Sequence, residues 1–370
     1  MGRYKVCVYA ICKDEEQFVA AWMDSMKEAD LVVVTDTGSM DGTVEELQKL
    51  GATVYIEKVI PWRFDIARNI SLGHVPEDVD ICVCTDLDER LEPGWREKLE
   101  AVWQDDVCQG KYIYNWSLNE DGTPYIQFTY FKIHKRKGFR WIYPCHEVLS
   151  YTGNEPFKEV FIDGLVLNHH PDPKKSRGSY LALLKLGVEE MPEDDRMNYY
   201  LGREYMYQGN WKDCISCLKK YLSLKTATWR EERGAAMRWI ASSYAALNQF
   251  NQAYTWYYHA IAEVYWMRDG YVEFAKFANQ LGDFATTYFM AMEALKITEK
   301  SDCYINSGEA WDATPYDLAA VGAFYLGLYE EALTYAKMAV QLAPKDARLR
   351  ENLTLIEGTL KAMNDKKEQA

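Results

Sequence analysis

The sequence predicts an α/β domain with a mostly parallel sheet, followed by an all-α solenoid of helical hairpins. Two patterns carry this. In the first part of the chain, apolar strand-like runs alternate with amphipathic helical runs, as in parallel strands joined by helical crossovers. The second part is helical to its end and repeats. Aligned on a turn residue, it gives Gly209, Asn248, Gly282 and Gly327 at spacings of 39, 34 and 45. A length of 370 residues suits two domains. The stretch 171–178 (PDPKKSRG) breaks regular structure, so the division is expected at 1–178 and 179–370.

Composition narrows the function. With 48% hydrophobic and 26% charged residues the chain is globular, and a net charge of −14 disfavours nucleic acid and anionic membrane surfaces as partners. No run approaches the roughly 20 apolar residues of a membrane span. The opening MGRYKVCVYAICKDEE meets acids too soon for a secretory signal, and the Met-Gly start lacks the Ser or Thr of a myristoylation site. Nine cysteines without framework spacing point to reduced thiols and a cytoplasmic location.

Residues 4–11 (YKVCVYAI) form the first expected strand, and 16–28 an amphipathic helix with Phe18, Val19, Trp22, Met23 and Met26 on one face. Residues 31–35 form a second strand, which runs into the polar loop 36–43 (DTGSMDGT); a helix at 44–50 and a third strand at 53–56 follow. Residues 64–72 (FDIARNISL) are helical. The chemical centre comes next, at 82–91 (CVCTDLDERL). Val79, Ile81, Val83 and two cysteines make a strand buried on both faces, and Asp86, Asp88 and Glu89 follow at once. That order puts the acids at the carboxyl end of a strand, where ligands bind in open α/β sheets. Acids this close need a counter-charge, and Mg²⁺ or Mn²⁺ with phosphate oxygens suits them. No GxGxxG or Walker loop is present, so a nucleotide would be held by acids and a metal.

These stretches, together with Lys13-Asp14-Glu15-Glu16 and Asp65-Ile66-Ala67-Arg68-Asn69, resemble the family 2 glycosyltransferases of the GT-A fold. The resemblance implies a nucleotide-sugar-binding domain, with a UDP-sugar the expected donor. It implies that Glu15 and Asp36 lie near the base and ribose, that Arg68 approaches the diphosphate, and that Asp41 and Asp65 join the donor site. It further implies that Asp88 binds the metal, with Asp86 nearer the ribose or sugar, and that transfer inverts the anomeric carbon.

From residue 111 the pattern becomes alternating, as in an antiparallel ribbon over 112–117, 127–133 and 138–142. Pro144-Cys145-His146-Glu147 follows, then a strand at 160–167 ending on Asn168-His169-His170. Transfer needs a base for the acceptor's proton. At positions where the family carries such groups, Glu147 is the expected base and His146 a diphosphate contact. Asp121, on the ribbon turn, is the substitute base. His169 or His170 completes the metal site, and a histidine ligand favours manganese.

In the second part, the residues seven before each aligned turn are small (Gly202, Ala241, Ala275, Ala320) and those two after are aromatic (Trp211, Phe250, Phe284, Tyr329). Small residues let paired helices approach, and each hairpin buries a face on the next. The pattern resembles tetratricopeptide (TPR) repeats, with an insertion near 303–314 and a charged, frayed tail at 364–370. Cys214 and Cys217 fall on a repeat helix and read as packing. Trp239, Tyr244, Trp256, Tyr257, Tyr258, Tyr265 and Trp266 exceed what a core needs and are expected in part to line a groove. The whole layout resembles bacterial enzymes that glycosylate peptides or proteins, which implies a peptide or protein acceptor recruited by the repeats. A homodimer is a second use open to that surface. The alternatives are a transferase of cell-surface polysaccharide or glycolipid, and a scaffold without catalysis.

Overall fold

The computed structural model describes residues 2–172, 178 and 180–368. They divide into two compact units, Met1–Pro192 and Glu193–Ala370. The basic stretch at 173–177, read as a linker, lies outside the described residues.

The first unit holds ten strands: β1 (Val6–Cys12), β2 (Leu31–Asp36), β3 (Thr53–Ile56), β4 (Ile81–Cys84), β5 (Glu89–Leu91), β6 (Gln109–Leu118), β7 (Pro124–Lys135), β8 (Phe139–Ile142), β9 (Val148–Tyr151) and β10 (Glu159–His169). Its helices are α1 (Glu16–Met26), α2 (Thr43–Lys49), α3 (Phe64–His74), α4 (Trp95–Val102) and α5 (Tyr180–Glu190). Eight strands form one sheet in the order β3-β2-β1-β4-β7-β6-β10-β5. Strands β3, β2, β1 and β4 run parallel, as does the pair β6–β10, while β7 and β5 run antiparallel to their neighbours.

The strand pattern explains the layering. Val6, Val8, Ala10 and Cys12 of β1 pack with Val19, Trp22 and Met26 of α1 on one face, while Cys7 and Tyr9 pack with Leu72 of α3 on the other. Alternate residues of a strand face opposite ways, so a run apolar at every position is covered on both sides. The chain reverses at β1, with β2 on one side and β4 on the other, which makes the carboxyl ends of these strands a topological switch point.

Two expectations are corrected here. The antiparallel ribbon does not stay together: β6 and β7 join the main sheet, while β8 leaves it to pair with β9. Gly138, at φ +82°, turns the chain, and Phe139 and Trp141 then bury against Tyr9, Cys82 and Cys84. Alternation alone does not say which sheet a strand joins. The helix α5, which the expected division at 178/179 puts with the second part, falls in the first unit, where Glu190 pairs with Arg63 and Tyr180 meets the ring of Phe64.

The second unit consists of helical hairpins, α6 (Asp195–Tyr207) with α7 (Trp211–Ser223), α8 (Arg230–Ala246) with α9 (Phe250–Glu263), α10 (Arg268–Gln280) with α11 (Phe284–Lys296), and α12 (Thr314–Tyr325) with α13 (Tyr329–Leu342). A last helix, α14 (Ala347–Glu368), packs on α13. The four aligned turn residues all adopt left-handed backbone, with φ of 71° at Gly209, 57° at Asn248, 73° at Gly282 and 77° at Gly327. That is the helix-ending conformation glycine and asparagine tolerate best. The aromatics two residues on each begin the second helix. Gly202 is small for a reason, since a Cβ there would lie 2.3 Å from Leu218 Cδ2. The insertion is real and lies between α11 and α12, where it holds a short 3-10 turn, Gly308–Ala310. The charged tail at 364–370 is helical as far as Glu368, and 369–370 lie outside the described residues. Among the aromatics read as groove-lining, Tyr257 is core, whereas Tyr258 and Tyr265 are exposed.

Candidate active site

The loops after β1 and β2 are laced together at the switch point. Asp36, 1% exposed, accepts backbone N–H groups of Gly38 at 2.9 Å and Ser39 at 3.0 Å, and also takes the Ser39 hydroxyl. Asp14 accepts from Met40 N at 2.7 Å, and Asp41 accepts from Glu16 N at 3.2 Å and Thr43 N at 3.0 Å. Glu15 is buried and gives its own N–H to Thr43 Oγ1 at 2.8 Å. Burial works to raise the Asp41 carboxyl, but the Thr43 and Glu16 donors outweigh it and hold it below the ordinary range. Asp36 and Asp41 therefore fix the shape of this edge.

Beyond β4, the acids find cations within the protein. Arg68, on α3 and 4% exposed, gives Nε to Glu147 Oε1 and Nη2 to Asp86 Oδ1, both at 2.7 Å, and its guanidinium lies 5.2 Å from the Trp141 ring centre. Lys132, on β7 one step beyond the Val83–Ile133 pair, reaches Asp86 Oδ2 at 3.2 Å and Glu89 Oε1 at 3.4 Å. Glu89 is 2% exposed; it also accepts Tyr114 O–H at 2.7 Å and Asp86 N–H at 2.9 Å. Burial pushes its carboxyl up, with Lys132 opposing. Burial would push the Lys132 ammonium down, but Asp86 and Glu89 hold it well above its usual value. Sequence reading missed Lys132 altogether. It stands 46 residues from Asp86 on a strand whose partner was not foreseen.

Asp88, 7% exposed, faces the last strand of the sheet. His169 Nε2 lies 3.5 Å from Asp88 Oδ2, and His169 Nδ1 bonds the Trp116 carbonyl at 2.9 Å. That second bond puts a proton on Nδ1, and although burial works to lower the imidazole, Asp88 at Nε2 and the Trp116 carbonyl outweigh it and raise its pKa. The ring stacks on Trp116 at 4.6 Å. His170 meets Asp88 only through its backbone, giving N–H to the Asp88 carbonyl at 2.7 Å. Among the described residues no three His, Cys, Asp or Glu side chains converge as a metal site. Asp88 and His169 are a two-member set, which suits a divalent ion that takes its other ligands from phosphate and water. Among the described residues, the carboxylates Asp86, Asp88, Glu89 and Glu147 meet Arg68, Lys132 and His169.

The remaining predicted residues divide. Tyr143 and His146 both have left-handed backbone, at φ 80° and 52°, and between them Pro144 O ties the segment to Phe64 N at 2.9 Å. This holds Glu147 against Arg68, with His146 5.7 Å from the Tyr180 ring. Asp65 does not pair with Arg68. Arg63 takes it with Nε at 3.0 Å and Nη2 at 2.9 Å while also binding Glu190. Asp121 is not brought to the cluster. It sits on the exposed β6–β7 turn, capped by Thr123, roughly 30 Å along β7 from Lys132.

With this geometry in place, comparison with known families is decisive for the first unit. Residues 7–161 match the family described as Glycosyl transferase family 2. The first unit carries a family 2 glycosyltransferase domain. The match runs from β1 into the first residues of β10; it includes Arg68, Asp86, Asp88, Glu89, Lys132 and Glu147 and stops short of His169. Among solved structures the chain is similar to MamA, at 20% identity and a TM-score of 0.37, over 45% of this chain and 89% of that one. A thermophilic TPR protein of Thermus thermophilus matches at 17% identity and 0.35, over 48% and 89%. YrrB, described as a TPR protein with an unusual peptide-binding site, matches at 13% and 0.39, over 48% and 84%.

The enzyme is therefore a glycosyltransferase followed by TPR-like hairpins, acting between a sugar donor and an acceptor. No helix among the described residues is long and apolar enough to cross a membrane. Burial pushes Cys214 up to about 11 and Cys217 to about 12, as inert packing thiols require.

Proposed function

We propose that this protein is a metal-dependent, inverting glycosyltransferase that moves a sugar from a UDP-sugar to a peptide or protein acceptor recruited by the TPR-like unit. The observation that carries the reading is the cluster beyond β4, where Asp88 faces His169 Nε2 and Asp86 is held by Arg68 and Lys132. Asp88 and His169 would hold Mn²⁺ or Mg²⁺, which when bound supplies Lewis-acid charge at the leaving diphosphate. Arg68 and Lys132 hold Asp86 in place, aimed at the donor ribose or sugar. Glu15, Asp36 and Asp41 shape the base and ribose end, and Asp65, clamped by Arg63, supports α3 under it. Arg68 orients Glu147 through Oε1, and the other oxygen, Oε2, takes the acceptor's proton as the acceptor atom bonds to the anomeric carbon. The bond from that carbon to the diphosphate breaks in the same step. His146 contacts the diphosphate. Asp121 has no part in this step, given its distance.

The test is release of nucleoside diphosphate from a panel of donors with Mn²⁺, with and without chelator. One donor is turned over, chelator abolishes it, and Asp88→Asn lowers it about 10²–10³-fold. Turnover that survives both chelator and Asp88→Asn would remove metal dependence from the reading. If no donor is turned over or bound, the donor assignment fails.

A further inference from the structure

Within the second unit, α8, α9, α10 and the Gly308–Ala310 turn enclose a groove of about 490 Å³. Phe250, Tyr257 and Phe277 form its apolar wall, with ring centres 6.2 Å apart for Phe250 and Phe277 and 5.4 Å apart for Tyr257 and Phe277. Its polar wall holds Asp269, Glu273 and Glu309 with Lys276. Lys276 pairs with Glu309. Arg238, buried on α8, must serve two carboxylates: it bonds Glu273 directly and stands 3.9 Å from Asp269 Oδ1. Three carboxylates thus share two cations. Asp269 is 1% exposed, and while Oδ1 accepts Ser307 N at 2.6 Å, Oδ2 has no hydrogen-bond partner among the described residues. A buried carboxylate oxygen without a donor is costly, and natural folds rarely leave one so without a use.

We propose that this groove binds a peptide segment through a lysine or arginine side chain, the cation drawn to Asp269 and Glu273 and its apolar neighbours lying on Phe250 and Phe277. Carboxylates beside aromatic faces favour a cation through both charge and ring quadrupole. The groove's volume is that of a site for a whole ligand and exceeds what a lone ammonium fills. The identification of this peptide as the acceptor rests on the reading above; the binding itself does not.

The test uses the full chain and fluorescent, end-blocked hexapeptides with one central lysine, arginine, norleucine or glutamate among leucine and alanine. Lysine and arginine peptides bind about tenfold tighter than norleucine, the gain expected of a charge-assisted contact, and glutamate does not bind. Asp269→Asn and Glu273→Gln each remove most of that gain. Lys276→Ala frees Glu309 and tightens the lysine peptide several-fold, an effect no loss of folding produces. Equal affinity for lysine and norleucine peptides, or no binding by any, overturns the proposal whatever the donor assay gives. Displacement by free cadaverine as effective as by peptide would make the site one for small amines and overturn the peptide assignment. If the peptide binds but receives no sugar, the groove stands and its link to transfer falls.

Discussion

Arg68 touches Asp86, Glu147, Cys84 and Trp141 from a position 4% exposed. Removing one member of a buried ion pair leaves charges that neither water nor protein satisfies, so Arg68→Ala is expected to cost about 3–5 kcal/mol. Lysine does not replace it, because two bonds at 2.7 Å in different directions need a planar fork, and Arg68→Lys should retain the fold with donor turnover reduced. Urea midpoints and donor turnover check both. A second prediction concerns His134. Trp141 Nε1–H bonds the Tyr9 phenolic Oη at 2.9 Å, Tyr9 Oη–H bonds His134 Nε2 at 2.8 Å, and His134 Nδ1–H bonds the Lys135 carbonyl at 2.7 Å. The neutral ring satisfies every group in this chain. Burial, with a smaller push from Arg136, brings its pKa down to about 4. Both states are neutral above the ordinary value near 6.5, so stability is intact there. As pH falls from about 6.5 toward 4, only the unfolded chain takes up the proton, and roughly 3 kcal/mol is lost. Stability measured by urea against pH should show this slope, and His134→Gln should flatten it. At this scale the positions of Asp86, Asp88 and Glu89 just beyond β4 and of His169 and His170 at the end of β10 were legible, since strand ends put them there. Lys132 and Arg63 were not, because a cation's value here depends on which distant carboxylate the fold brings to it.

At the scale of elements, the parallel strands were legible because residues apolar at every position need cover on both faces. The repeat hairpins were legible for a different reason: each reverses through one left-handed residue at a fixed offset. A side chain with a Cβ is strained there by about 1–2 kcal/mol, so Gly209→Ala, Gly282→Ala and Gly327→Ala should each lower the melting temperature by roughly 2–8 °C. Asn248→Gly should move it slightly upward. Equal, negligible shifts at all four would show that the turns relax to other conformations. What could not be read was the parting of β8 from β7. Both runs read as strands, and the choice is made by Phe139 and Trp141 finding a buried face across from Tyr9.

For the whole molecule, two compact units of similar size imply two cooperative cores. Trp22, fully buried with Nε1–H on Thr85 Oγ1 at 3.1 Å, belongs to the first; Gly202, against Leu218, belongs to the second. Calorimetry should show Trp22→Ala lowering one transition by about 3–5 kcal/mol while leaving the other, and Gly202→Leu doing the reverse. A single transition lowered by both would mean that the units unfold as one. The presence of two domains was legible from the change of period along the chain. The place of α5 was not, because it is set by Arg63–Glu190 and by rings meeting across more than a hundred residues.

The indole of Trp141 lies under the guanidinium that Asp86 and Glu147 share. Any ligand that draws Asp86 away shifts that guanidinium toward Glu147 and alters the electric field across the ring. Trp141 is thus an optical gauge placed between the two carboxylates. Its emission, taken as the difference between wild type and Trp141→Phe, should report the occupancy of one through the position of the other, with no label and before any bond is broken.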